Sequence, residues 1–440
     1  MSRVRIVGGT ITKTTGGDHN IYSDGNIVYN SGTSVSLTSD TGITHGEPKD
    51  LPVQIVNEAV KEIELLTALD LGSKNDRSGT TQLGMIFGKA YHFKVKSYVK
   101  SPPANIRDIK WMIKYHSLSQ NKWLEIPLST KGDSVTITMN DEDMCGRFVY
   151  VRAYIKDPEK EGEYKEWKHN RFRWFDRMFV EDEITDRTDN GKPWLINQSG
   201  TSLCGMACIF YLFAKEQPDT YKKFAKQLFR TGVATVNSYT VKPSIEVLDK
   251  NIKIIKNGSK IKQIIPNTGA NGMPFVDYIT MASTRNTDNS SYKGGDEEFQ
   301  AINWPPLMTT LSEKLLGFKD VHSKGVYNPV KSLAYTTLDV ENKINDINKQ
   351  LSSGYRLILM IDSDLIDDVW DISSLDLHWV VLESPITWNY KPGLFGANQD
   401  EIDFNVYTWG TDPFGSSKYL RKKITSNHFM NNYNGYIKLK

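Results

Sequence analysis

The 440 residues carry 54 Lys and Arg against 52 Asp and Glu, a formal charge of +2, with 39% hydrophobic and 24% charged residues. The near-neutral balance excludes a global electrostatic drive toward nucleic acid or a membrane surface, and the hydrophobic content excludes a wholly disordered chain. The length exceeds one ordinary core, so two or three domains are expected.

Three cysteines, Cys145, Cys204 and Cys208, are too few for a disulfide framework and point to synthesis in a reducing compartment. Cys204 and Cys208 share a helix face but have no second cysteine or histidine pair at zinc spacing, so no metal is expected. Residues 1–9 lack the apolar region of a signal peptide, and no stretch approaches the roughly 18 apolar residues of a membrane span. Cytosolic synthesis follows, with export by a route that needs no cleaved signal left open.

Residues 1–46 alternate short β-prone stretches with Gly, Asn and Asp turns, such as Gly8-Gly9, Gly16-Gly17-Asp18 and Asp24-Gly25-Asn26. Little bulky apolar surface is available, so this leader (1–50) is either flexible or stabilised by stacking short strands on a partner. Residues 52–68 read as an amphipathic helix on the spacing of Ile55, Ala59, Ile63 and Leu66, followed by a polar linker over 70–81. Together these form a connector, 51–83.

Residues 84–183 read as an all-β, immunoglobulin-like sandwich. Tyr91, Phe93 and Val95 alternate, as do Trp111, Ile113 and Tyr115, and Val135, Ile137 and Met139; 148–155 is a further strand. Cys145 sits in the turn before that strand and reads as an inert small residue. From about 184 to 440 helices and strands mix. A helix runs from Cys204 to Lys215, and Asp219 reads as the N-cap of the next. Residues 258–310 are loop-rich, with 286–295 as an exposed excursion, and the insertion 258–330 is a lid or a surface elaboration. A helix over 338–351 and strands over 355–361, 378–383, 404–409 and 433–439 follow.

Cys204 carries the chemical argument. A free thiol is mostly protonated at neutral pH, and a helix N-terminus with a neighbouring imidazolium favours the thiolate. Gly200, Thr201 and Ser202 are placed to cap the helix, and Gly205 leaves room for a substrate backbone near the sulfur. Gln198, six residues upstream, is placed to donate its amide to a developing oxyanion together with the Cys204 N–H; losing one such donor costs about 2.7–4 kcal/mol of barrier. Of eight histidines, His378 alone opens a strand of buried type, Trp-Val-Val-Leu, and is the best-placed base. Cys208 belongs to the core.

The order Gln198, Cys204-Gly205, His378-Trp379-Val380-Val381 resembles the papain-like cysteine peptidases, and especially the peptidase domains of bacteriocin exporters. Trp409-Gly410-Thr411 and the closing Gly435-Tyr436-Ile437 are similar to segments of papain itself. The resemblance covers about 186–440 and implies an α+β cysteine hydrolase acting on a peptide or protein substrate, with no cofactor. It departs from the family at the third member, where Asn or Asp orients the histidine. Strand alternation puts Thr408 there; Asp412 has the right chemistry but lies beyond the strand, and Asn405 lies too far back.

The leader, with Val7-Gly-Gly-Thr-Ile-Thr and Thr15-Gly-Gly-Asp-His-Asn-Ile-Tyr-Ser, resembles N-terminal segments of type VI secretion effectors of Bacteroidetes. That resemblance implies a secretion spike or tube as carrier, a cognate immunity protein, and delivery into a target cell as a toxin. The chain is thus expected to be multidomain: β-rich leader, sandwich, hydrolase. A peptidoglycan amidase or deamidase uses the same site, and a non-enzymatic adhesin or spike component is the alternative of another class.

Overall fold

The computed structural model describes residues 58–257, 260–265, 272–295, 298–326, 335–367, 377–390, 400–408 and 418–440. The leader, residues 52–57 of the expected helix, the Trp409-Gly410-Thr411 segment and Asp412 lie outside the described residues. The architecture is mixed α/β and rich in sheets.

Nine strands open the described chain: β1 (Val60–Leu65), β2 (Asp70–Ser73), β3 (Thr81–Ile86), β4 (Ala90–Tyr98), β5 (Lys110–Ser117), β6 (Lys122–Lys131), β7 (Ser134–Thr138), β8 (Arg147–Tyr154) and β9 (Gly162–His169). They build a three-stranded sheet, β1-β4-β7, and a six-stranded sheet, β2-β3-β9-β8-β5-β6. The alternating residues singled out in the sequence, among them Tyr91, Phe93, Trp111, Ile113 and Val135, come from both sheets and share one core.

Two expectations fail here. The described part of the amphipathic helix is a strand, because Val60 and Ile63 are buried beside β4 in an irregular register that a helical spacing mimics. The polar linker contains β2 and the start of β3, paired from Asp70↔Gly84 to Ser73↔Thr81.

Helix α1 (Arg177–Arg187) follows, capped by Asp176, whose side chain accepts the Met178 N–H. The expected boundary at 183/184 therefore falls inside a helix, and residues 58–440 form one compact unit. Next come α2 (Cys204–Glu216) and α3 (Pro218–Thr231). Pro218 opens α3 and Asp219 lies in its first turn, so Asp219 is not the N-cap; Gly232, at φ 75°, ends it.

Two hairpins, β10 (Ala234–Val236) with β11 (Tyr239–Val241) and β12 (Lys253–Asn257) with β13 (Lys260–Ile264), precede a helix that runs from Phe275 to Asp288 through a π-turn at Tyr278–Ala282. The expected excursion over 286–295 is exposed only in part: Asp288, Ser290 and Ser291 face solvent, whereas Asn286 and Tyr292 are buried. Helix Pro305–Lys314 then completes this layer.

A seven-stranded antiparallel sheet closes the fold: β14 (Val321–Lys324), β15 (Arg356–Asp362), β16 (Leu377–Leu382), β17 (Thr387–Asn389), β18 (Glu401–Tyr407), β19 (Leu420–Ile424) and β20 (Tyr433–Leu439). Both faces are covered, which explains the nearly continuous apolar runs of β15 and β16. Trp379, Val381 and Tyr407 face α2, whereas Val380, Leu382 and Val406 face helix Thr337–Ser352. His322 lies in β14.

Candidate active site

Helix α2 lies against the sheet with both ends fixed. At its C-terminus Lys215 Nζ meets Glu383 Oε2 at 2.5 Å, and Arg356 grips Glu216 with two hydrogen bonds of 2.6 and 3.1 Å. Midway, the Tyr211 and Tyr407 rings stack at 3.9 Å. At its N-terminus Cys204 stands beside β16, where the backbone N–H groups of Trp379, Gly205 and Cys204 itself favour the sulfur anion. The thiol thus reaches the residue next to His378 across more than a hundred and fifty intervening positions.

His378 stands at the start of β16, and its Nε2 lies 2.9 Å from Thr408 Oγ1 just past the end of β18. The register pairs Val381 with Tyr407, so Thr408 meets the imidazole diagonally rather than as its directly opposed residue. Strand alternation sets the imidazole on the side of Val380, while its own backbone continues into the amide that faces the sulfur.

Burial governs the electrostatics. Cys204 is 9% exposed and its thiol is pushed up to about 11, by desolvation that outweighs the three N–H groups. His378 is 6% exposed and its imidazole is pushed down to about 3, again by desolvation. The expectation of a lowered thiol pKa is therefore overturned: the resting pair is thiol and neutral imidazole. Cys208, one turn further in, is raised well above the usual thiol range by burial and then by Cys204.

Gln198 is buried. Its Nε2 donates to the Thr201 carbonyl at 2.8 Å, the Thr201 hydroxyl donates back to the Gln198 carbonyl at 2.7 Å, and Gln198 Oε1 has no partner. An amide nitrogen carries two hydrogens, so a second N–H remains for an oxyanion. The loop is tight: Ser199 adopts φ 56°, in the left-handed region.

Two local expectations are corrected. The N-cap is Leu203, with no side-chain cap, so Gly200, Thr201 and Ser202 do not cap α2. Gly205 does not make room for substrate. A Cβ there would meet Asn303 Cβ at 2.5 Å and Met308 Sδ at 2.6 Å, so the glycine admits the insertion against α2.

Hence the insertion is packed into the interior at this point rather than laid over the surface. Its Asn303 is 1% exposed, both side-chain polar atoms lack partners, and its carbonyl accepts Trp379 Nε1 at 2.8 Å. Its Asp277 is fully buried and binds Arg187 of α1 through bonds of 2.9 and 2.7 Å. Nearby, burial pushes the Glu183 carboxyl up to about 7 against the pull of Arg187.

Sequence reasoning missed Asn303, Arg187, Asp277 and Tyr407. Lone charged residues read as solvated faces and a strand tyrosine reads as core, so no local signal marked them. Among the described residues no three His, Cys, Asp or Glu side chains gather as a metal site, and no helix is long and apolar enough to cross a membrane. No protein-family model matches the chain, and no curated protein is significantly similar to it.

Proposed function

We propose that the chain is a papain-like cysteine hydrolase carried by a type VI secretion effector, with an immunoglobulin-like module ahead of the enzyme. Cys204 attacks a peptide carbonyl, His378 takes and returns the proton, Thr408 orients the imidazole, and Gln198 with the Cys204 N–H holds the oxyanion. A thioester acyl-enzyme forms as the amine leaves, and water releases the acid. The observation that carries this reading is a thiol at a helix N-terminus, turned to the amide beside a histidine that a hydroxyl anchors. The substrate is a peptide or protein of a target cell, and a cognate immunity protein protects the producer.

A second reading, a catalytically silent adhesin or spike component, is favoured by two observations: burial keeps both thiol and imidazole neutral, and strand alternation sets the imidazole on the Val380 face of the sheet, away from α2. Expression in the cytoplasm of a susceptible bacterium separates the two. Wild type arrests growth and Cys204→Ala does not. Equal toxicity of both proteins removes the catalytic account, and toxicity only after periplasmic targeting transfers it to cell-wall peptide amides.

A further inference from the structure

The three residues before Gln198 are each tied down by a different element. Arg187 Nη2 of α1 donates to the Leu195 carbonyl at 3.1 Å. The Tyr407 hydroxyl of β18 donates to the Ile196 carbonyl at 2.7 Å. Asp277 Oδ2 accepts the Asn197 N–H at 2.9 Å while the same carboxylate is gripped twice by Arg187. Asn197 Oδ1 then accepts the Ser199 N–H at 2.7 Å, closing the turn around Gln198.

A buried charge pair of this kind is not kept for stability alone, since an apolar pair of the same volume is often as stable. What it supplies here is direction. Both partners spend hydrogen bonds on one strand of backbone, and that strand ends at the amide proposed to meet the oxyanion. Tyr407 is also the chain neighbour of Thr408, so the end of β18 holds the Gln198 loop with one residue and the His378 ring with the next.

We infer that Arg187, Asp277 and Tyr407 are positioning residues that fix the Gln198 side chain as an oxyanion donor, an inference that rests on the hydrolase reading. Such an amide stabilises a transition state only if it is held still before charge develops. The residues act through Gln198 and touch no substrate.

Two reagents separate positioning from mere folding. p-Nitrophenyl acetate acylates a thiolate through a tetrahedral oxyanion and expels p-nitrophenolate; iodoacetamide alkylates the same thiolate by displacement of iodide, with no oxyanion. In the full chain, Gln198→Ala slows acylation of Cys204 about a hundredfold. Tyr407→Phe, which keeps the ring stack with Tyr211, and Asp277→Asn each slow it about tenfold, the loss expected from misaligning one donor. Neither slows it further in the Gln198→Ala background, and none of the variants changes the iodoacetamide rate.

Equal slowing by both reagents, full additivity with Gln198→Ala, or an unchanged acylation rate in Tyr407→Phe and Asp277→Asn overturns the inference while leaving the hydrolase intact. No acylation of Cys204 in the wild type, or no effect of Gln198→Ala, overturns the hydrolase reading and the inference with it.

Discussion

Two regions of the molecule each bring a buried cysteine and a buried histidine onto neighbouring backbone. In the β module, Cys145 precedes β8, the Gly146 N–H donates to the Lys168 carbonyl at 2.8 Å, and His169 ends β9. In the mixed region, Cys204 begins α2 beside β16, which carries His378. Burial acts on both pairs alike: each thiol is pushed up to about 11, and the imidazoles fall to about 4 and about 3.

The difference lies in hydrogen-bond polarity. Cys145 Sγ lies 3.9 and 3.6 Å from the carbonyls of Asp141 and Arg230, either of which accepts its single hydrogen and favours the thiol, against the pull of the Lys168, Arg230 and Arg147 charges. Cys204 faces N–H groups, which hold an anion once one forms. His169 is wedged where Cβ atoms of Gly72 and Gly84 would stand, whereas His378 has the Thr408 hydroxyl. Burial by itself leaves the two cysteines alike; on the proposed reading, the backbone dipoles facing each sulfur separate them.

The widest separation is expected in reactivity. Because the thiolate is the nucleophile and the Cys204 pKa lies near 11, its alkylation by iodoacetamide rises about tenfold per pH unit from 7 to 10, roughly a thousandfold in all. Cys145, facing carbonyl oxygens, stays unmodified in the folded protein over that range; mass spectrometry of tryptic peptides reads both sites. A Cys204 rate that is already flat near neutral pH establishes a standing thiolate–imidazolium pair and breaks the claim that burial sets its resting state. Parallel pH profiles for the two cysteines break the polarity argument.

A smaller effect concerns Asn303. Both polar atoms of its side chain are buried without partners, so Asn303→Leu is expected to raise stability by roughly 1–3 kcal/mol in urea denaturation. A loss of stability shows that the amide is satisfied in the folded state and removes it from the list of unmet polar groups around the thiol. The smallest effect is at the histidine. Thr408→Val deletes one buried hydrogen bond and costs about 0.5–1.5 kcal/mol by the same assay, with the His378 ring losing its anchor. An unchanged midpoint means that Thr408 contributes nothing to holding the ring, and the likeness of His378 to His169 becomes complete.

The sequence carried α2, the strand of His378 and the closing strand accurately; the first two are nearly continuous apolar runs, and Pro218 follows the end of α2. It also singled out Cys204, Gln198, His378 and Thr408 from spacing and family likeness, and the fold brings the sulfur to the amide beside His378 and Thr408 onto its ring. It misread residues 58–68 as helix because a bulged strand can carry buried residues three apart.

Local pattern determined the identities of the chemical groups and the elements that bear them, since both are written in nearest-neighbour spacing. Only the tertiary structure decided their state and their support. Whether a thiol ionises depends on how much water reaches it and which dipoles face it. The backbone that leads into Gln198 is held by Arg187, Tyr407 and Asp277, three residues scattered along the chain. No short-range pattern encodes either, because desolvation and convergence are properties of packed surfaces rather than of sequence neighbours.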